Sequence, residues 1–356
     1  MAIRIDSDSH FLPRDVFDDV DPRFEHRRPR VYFDAAGRSA ATYPDREAKL
    51  SHHQRYVLPN TFLPSKRPPG FWEIPPRIEF LDRTGIDMQV LVPSNPPFHY
   101  DIELDLATNV CRSYNNAISR LLKKHPGRFI GLAHLPMQSP TRALQELDRA
   151  ITELGIHAPL LLTNIEGLNL DEPQFWPVYA RMEELGVPLI LHPSRSGKLL
   201  GAERLMKFHL DNALGFLYEG TLAITSLICG GVLDLFPRLR VGLLETGCGY
   251  LPHLMDRLNE VYDHEGVDKL IRKRPHEYLD QFWISANVVA ERETFTYVIK
   301  RYGPERLMMA VDFPHGLGGA GETVVDAVQN NTALTQQEKN RILGLNAAEL
   351  FGLAAG

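Results

Sequence analysis

The chain has 356 residues, with 39 Lys and Arg against 45 Asp and Glu, a formal net charge of −6. Hydrophobic residues make up 44% and charged residues 24%, enough apolar material for a large core and too much for global disorder. The mildly acidic balance disfavours nucleic acid and anionic membranes as partners. Cys111, Cys229 and Cys248 are too few and too far apart for a disulfide framework, and no two form a C-x-x-C metal pair. The opening MAIRIDSDSH lacks the basic and apolar regions of a signal peptide. The longest apolar run, residues 222–233, is too short to span a bilayer. A soluble cytoplasmic protein is the expectation.

Residues 3–8 form the first expected strand. Residues 14–73 follow, rich in Pro, Arg, Asp and His, with no sustained period. A connection of this length is usually functional, so it reads as an excursion lying over a site or at a subunit contact. The second strand is 87–93 (DMQVLVP), followed by a long helix over 104–124 with apolar residues at Leu106, Val110, Tyr114, Ala117, Leu121 and Leu122. The third strand, 129–134 (FIGLAH), leads through Ser139-Pro140, a helix-start signal, to a helix over 143–154. The fourth, 157–162 (HAPLLL), precedes a helix over 176–185 that Gly186 terminates. Strands at 187–192 (VPLILH), 240–245 (RVGLLE), 282–287 (FWISAN) and 307–312 (LMMAVD) complete the series. Helices are expected after them at 203–229, 251–261, 291–302 and 336–351. Eight apolar strands alternating with helices predict one α/β domain over 1–356. Its fold would be a (β/α)8 TIM barrel, with 14–73 inserted after the first strand as a lid or interface.

In such barrels the reacting groups lie at the carboxyl ends of strands. Here strand one ends in Asp8-Ser9-His10, strand five in His192-Pro193, strand six in Glu245-Thr246-Gly247 and strand eight in Asp312-Phe313-Pro314-His315. Alternate residues of a strand share a face, so Asp8 and His10 can address one ion. Carboxylates and imidazoles grouped in this way suit Zn²⁺, Mn²⁺ or Fe²⁺, and such an ion polarises a carbonyl or acidifies a water. Each residue alone also has a plain structural role: a turn cap for Asp8 and His10, a core histidine for His192, a helix cap for Glu245, an Asx-turn for Asp312. Four strand ends together favour a metal centre of Asp8, His10, His192, Glu245 and Asp312, with Glu245 and Asp312 as catalytic acid–base groups. His253 and His315 are further imidazoles that could take a second ion or shuttle a proton. Arg257, on the helix after strand six, could grip a substrate carboxylate bidentately. Arg195, Arg67 and Trp72 are the other substrate-binding candidates. The fourth strand ends Leu162-Thr163-Asn164 and offers no lysine to bridge two metals. H-E-x-x-H, P-loop and G-x-S-x-G motifs are absent, and no G-x-G-x-x-G joins the first strand to its helix.

The segments RFIGLAHLPMQSP (128–140), VPLILHPSR (187–195), FPRLRVGLLETG (236–247) and RLMMAVDFPHG (306–316) resemble the amidohydrolase-related family typified by α-amino-β-carboxymuconate-ε-semialdehyde decarboxylase. The resemblance covers most of the chain from about Gly70 onward, plus the first strand. It implies a metal held by His10, His192 and Asp312, and a substrate arginine at Arg257, anchored by Pro252 and often acting across a dimer. Two positions depart from the family pattern. Asp8 stands where the family has the first histidine of an H-x-H, and Glu245 stands where it has the histidine after strand six. Both changes exchange neutral nitrogen for anionic oxygen, which moves the preference from zinc towards manganese or iron.

Three functions follow. The first is a divalent-metal decarboxylase or hydrolase acting on a small carboxylate-bearing substrate. The second is a dinuclear iron or manganese oxygenase on the same barrel. The third is a non-catalytic subunit supporting an active paralogue. A homodimer is the expected assembly, with a hetero-oligomer under the third reading.

Overall fold

A computed structural model of the chain describes residues 2–33, 39–42, 68–93, 100–194, 211–264, 266, 270–286, 292–315 and 321–354. Eight parallel strands lie side by side in chain order: β1 (Ile5–Phe11), β2 (Met88–Pro93), β3 (Phe129–His134), β4 (Ala158–Leu162), β5 (Leu189–His192), β6 (Val241–Leu243), β7 (Phe282–Ala286) and β8 (Leu307–Met309). Every residue of these strands is buried. Strands covered on both faces need no polar side, which is why they read as apolar runs rather than alternations. The last strand meets the first through a parallel bridge between Ser9 and Phe313. Beside it, His10 N–H donates to Phe313 O at 2.7 Å and Asp312 N–H to Asp8 O at 2.9 Å. The expected barrel is present and nearly closed.

Around it lie α1 (Pro75–Thr84), α2 (Leu104–Lys124), α3 (Pro140–Asp148), α4 (Trp176–Leu185), α5 (Phe216–Cys229), α6 (Leu251–His264), α7 (Arg292–Tyr302), α8 (Gly321–Gln329) and α9 (Asn346–Phe351). Both α2 and α4 occupy their expected ranges. The buried stripe of α2 is Leu106, Val110, Tyr114, Ala117 and Ile118, and the Glu103 carboxylate caps its start by accepting from Asp105 N–H at 2.8 Å. Helices α1 and α8 and the single turn Val232–Leu235 were not anticipated. The buried face of α1 is Arg77, Phe80, Leu81 and Thr84, and two polar residues of four blunt the periodicity that would announce it. The part of the expected 203–229 helix before residue 211 lies outside the described residues.

Strand boundaries differ from expectation where it matters for chemistry. The register of β1 on β2 pairs Asp6 with Gln89 but Ser9 with Leu91, so β1 carries an extra residue in a bulge. Strands β6 and β8 stop at Leu243 and Met309, because the chain turns left-handed at Glu245 and Asp312, both with φ of 58°.

Of the excursion, Val16, Phe17, Val20 and Phe24 join Phe71 and Trp72 in an apolar cluster against Leu106, Val110, Tyr114 and Ile118. Arg120 of α2 pairs with Asp15 at 2.7 Å and with Asp19 at 2.8 Å over that contact. Arg30–Phe33 and Ser39–Thr42 form an antiparallel hairpin, an element the sequence pattern does not announce. No helix among the described residues is long and apolar enough to cross a membrane.

Gly344, in the π turn Arg341–Leu345, lies against the chain entering β1; an added Cβ would overlap the Ile3 carbonyl oxygen. Backbone cannot swing aside as a side-chain tip can. Gly344→Ala should therefore destabilise by about 1–3 kcal/mol, read as a lower thermal-unfolding midpoint. An unchanged midpoint would show that this end of the barrel is more yielding than its packing.

Candidate metal centre

Four strand ends converge at the mouth of the barrel. β1 delivers Asp8 and His10, β5 delivers His192, and the turns after β6 and β8 deliver Glu245, Asp312 and His315. His192 Nε2 lies 2.6 Å from Glu245 Oε2 and 3.9 Å from Asp8 Oδ1. His10 Nε2 lies 3.4 Å from Asp312 Oδ1 and 3.7 Å from Glu245 Oε2, and Asp312 Oδ1 lies 3.9 Å from His315 Nε2. Two overlapping sets have their ligand atoms within 4.8 Å of one another: Asp8, His10 and His192, and His10, Asp312 and His315.

Local backbone chemistry explains the convergence. The bulge in β1 exists because Asp6 satisfies it. This fully buried carboxylate accepts from Asp8 N–H at 3.2 Å, Ser9 Oγ at 2.7 Å, Gln89 Nε2 at 3.0 Å and Val311 N–H at 2.9 Å. Glu245 and Asp312 occupy the left-handed region, which costs a non-glycine residue on the order of 1 kcal/mol and concentrates at functional sites. His192 donates Nδ1–H to Pro193 O at 2.5 Å, which fixes the ring and presents Nε2 to the cluster.

The electrostatics are those of crowded carboxylates. Burial pushes Asp8 well above its ordinary value, and Glu245, Asp312 and Asp6 add to it while His192 opposes. Burial alone would lower His192, but Glu245 and Asp8 outweigh it and raise its pKa to about 9. Desolvation pushes Glu245 upward, yet His192 and His10 overcome it and hold that carboxyl well below the usual range. Burial raises Asp6 to about 6, with its four donors limiting the rise.

A divalent cation fits these residues. Asp8 Oδ1 is buried and has no hydrogen-bond donor among the described residues. Such an oxygen needs a proton or a cation. The aromatic wall beside it is formed by Phe71, whose ring meets His315 edge-on at 4.9 Å between centroids. His10 is itself edge-on to His192 at 5.0 Å and to His315 at 4.7 Å.

Asp8, His10, His192, Glu245, Asp312 and His315 are therefore brought together as the strand-end pattern anticipates. Trp72 is buried beside Phe71. Arg257 and His253 are exposed on α6; Arg257 pairs with Glu260, and neither residue bonds to the cluster. Arg67 and Arg195 lie outside the described residues. Sequence reasoning missed the roles of Asp6, Gln89 and Arg77 beneath the cluster. Only the shared parity of Asp6 and Asp8 hinted at the first.

A family model described as amidohydrolase matches residues 5–353. A 2-amino-3-carboxymuconate-6-semialdehyde decarboxylase of Dictyostelium discoideum is 30% identical over 285 residues, covering 79% of this chain and 77% of that protein. A gamma-resorcylate decarboxylase of Rhodococcus jostii (strain RHA1) is 25% identical over 335 residues, covering 86% of this chain and 99% of that protein. Among solved structures, a 5-carboxyvanillate decarboxylase from Novosphingobium aromaticivorans, complexed with manganese and 4-hydroxy-3-methoxy-5-nitrobenzoic acid, superposes with a TM-score of 0.77 at 22% identity, covering 99% of this chain and 96% of that one.

The His192–Glu245 pair makes metal-free stability depend on pH. His192 has a folded value of about 9, above its ordinary 6.5, so the stabilisation is complete below 6.5 and is lost as pH rises through 9. The unfolding midpoint of chelator-treated protein should fall across this window, and His192→Gln should flatten the fall. An identical slope in both proteins would remove the pair as its cause.

Proposed function

The chain belongs to the amidohydrolase family, and from that premise we propose that it is a metal-dependent decarboxylase of a small carboxylated aromatic acid. The observation that carries this reading is the buried Asp8 oxygen, without a donor among the described residues, grouped with His10 and His192 beside Glu245 and Asp312. The relatives' activities and the manganese in the 5-carboxyvanillate decarboxylase support it. Residues 1–356 would act as one catalytic unit, with 14–73, of which 34–38 and 43–67 lie outside the described residues, as a lid or an interface.

Asp8, His10, His192 and Asp312 would hold the ion. A donor set this rich in carboxylate favours Mn²⁺ or Fe²⁺ over Zn²⁺. An ion held there would supply Lewis-acid chemistry, polarising substrate oxygens and offsetting negative charge. Glu245, an anionic carboxylate beside the ion, would take the proton of a substrate hydroxyl. Asp312, anionic at rest, would take up a proton from water as the substrate binds and give it to the carbon whose bond to the carboxyl group breaks as CO2 leaves; the product hydroxyl recovers its proton from Glu245. Phe71 and Trp72 keep water from that carbon. Arg67 and Arg195 are further candidates to meet the substrate's charge.

The second reading, a dinuclear oxygenase, rests on the overlap of the two ligand sets at His10. One ion per chain and CO2 release from hydroxylated benzoates, abolished by chelation and restored by Mn²⁺, is the expected result. Asp312→Asn should lower kcat by roughly 10²–10⁴-fold. Two redox-active ions per chain with O2 consumption would replace this reading by the oxygenase, and turnover surviving full chelation would end both.

The finer assembly is a homodimer in which Arg257 serves the neighbouring chain, since in its own chain it is exposed and away from the cluster. Chains carrying Arg257→Ala and chains carrying His192→Ala should each be inactive and regain activity on mixing, because the mixed dimer holds one complete site. Failure to complement in a verified mixed dimer would remove Arg257 from this role.

A further inference from the structure

Beneath the cluster lies a buried charge that the proposed reaction does not use. Arg77 projects from α1 and is fully buried. Its Nη1 donates to Gln89 Oε1 at 2.8 Å, and its Nη2 donates to Gly70 O at 3.0 Å and to His10 O at 2.5 Å. Its guanidinium carbon sits over the rings of Phe11 and Phe313, at 5.1 Å and 4.9 Å from their centroids. Gln89 then passes the connection on, donating Nε2 to Asp6 Oδ2 at 3.0 Å. The cation and the anion thus never touch; one amide joins them.

Stability alone does not account for this arrangement. Taking a guanidinium out of water costs several kcal/mol, and apolar residues of similar volume commonly serve a core as well or better. What an apolar residue cannot do is hold two carbonyls and an amide at once. The two carbonyls belong to separate segments of the chain. One is that of His10, whose N–H is already fixed by Phe313 O at 2.7 Å. The other is that of Gly70, in the segment that carries Phe71 to the aromatic wall. That segment is fastened again by Leu12 N–H to Phe71 O at 2.8 Å. It passes so close to Phe313 that a Cβ on Gly70 would lie 2.8 Å from the ring. At the far end of the relay, Asp6 holds the N–H groups of Asp8 and Val311.

We propose that Arg77, acting through Gln89 and Asp6, is a positioning residue: it sets the spacing of Asp8, His10 and Asp312 for a divalent ion and locks the Phe71 segment to that geometry. The proposal rests on the metal-centre reading above. It implies that ion binding and ordering of the Phe71 segment are coupled, because both act on the same carbonyls.

The test uses the full chain, stripped of metal and titrated with Mn²⁺ alone. Its readouts are affinity, the paramagnetic resonance spectrum of bound Mn²⁺, and amide exchange in residues 69–72. Arg77→Met keeps the bulk and removes every donor. Gln89→Met leaves the bonds to the His10 and Gly70 carbonyls intact and removes the amide that joins Arg77 Nη1 to Asp6 Oδ2. Both should bind Mn²⁺ about 10–100-fold more weakly, with altered spectra, and Arg77→Met should lose the metal-induced protection of the Phe71 segment. Arg77→Lys, which keeps a charge and a donor, should recover part of the affinity. Wild-type affinity and spectrum in the folded variants overturn the proposal; if Arg77→Met does not fold, Gln89→Met decides it alone. A wild-type protein that takes up no Mn²⁺ overturns the metal-centre reading itself, before any variant is made.

Discussion

The barrel closes where β8 meets β1, and the same few peptide groups that close it also build the site. An eight-stranded parallel sheet must pair its last strand with its first or leave two edges of unsatisfied backbone. Here the seam is sealed beyond the end of β8, by Asp312 N–H on Asp8 O and His10 N–H on Phe313 O. Asp8, His10 and Asp312 therefore owe their positions to barrel closure rather than to flexible loops. The bulge in β1 makes this closure unequal, and Asp6 meets the resulting demand by bonding both Asp8 N–H and Val311 N–H. Loss of that carboxylate would disturb ligand spacing and strand pairing together.

Two buried carboxylates two residues apart differ in what satisfies them, for a reason visible in their surroundings. Asp6 accepts from four donors and is satisfied within the protein. Asp8 has a buried oxygen with no donor among the described residues and faces Glu245 and Asp312 as well. In the metal-free molecule the nearest relief is the proton on His192, held strongly because Glu245 lies 2.6 Å away. A divalent ion supplies the same relief with more charge, so ion and proton compete for one space.

The strands and the strand-end residues were legible because both follow from rules that act locally. Buried parallel strands must be apolar, and the reacting groups of a barrel must lie where its strands finish. Asp8, His10, His192, Glu245, Asp312 and His315 all fell out of those two rules. The left-handed backbone at Glu245 and Asp312 was not legible, because neither residue is a glycine and nothing in its neighbours announces the turn. Helix α1 was hidden by the residue that gives it importance: Arg77 sits in the buried stripe and breaks the apolar period. The partners of Arg77 come from β1, β2 and residue 70, a juxtaposition that exists only after closure. Arg257 shows the converse. Its sequence position is clear, but one chain does not bring it to the cluster.

The carboxylates Asp8, Glu245 and Asp312 have a consequence for substrate binding. Asp8, Glu245 and Asp312 with neutral imidazoles sum to three negative charges, and a divalent ion leaves one uncompensated. A carboxylated substrate adds to that charge and is repelled unless a cation meets it. The cluster itself contains no lysine or arginine, and Arg77 is committed to backbone carbonyls beneath it. The compensating charge must come from outside the cluster. An exposed arginine on α6, which among the described residues pairs with Glu260 and not with the cluster, suits delivery to a neighbouring chain. In the proposed dimer the two features would act together: the carboxylates hold the ion, and a guanidinium borrowed from the neighbouring chain admits an anionic substrate.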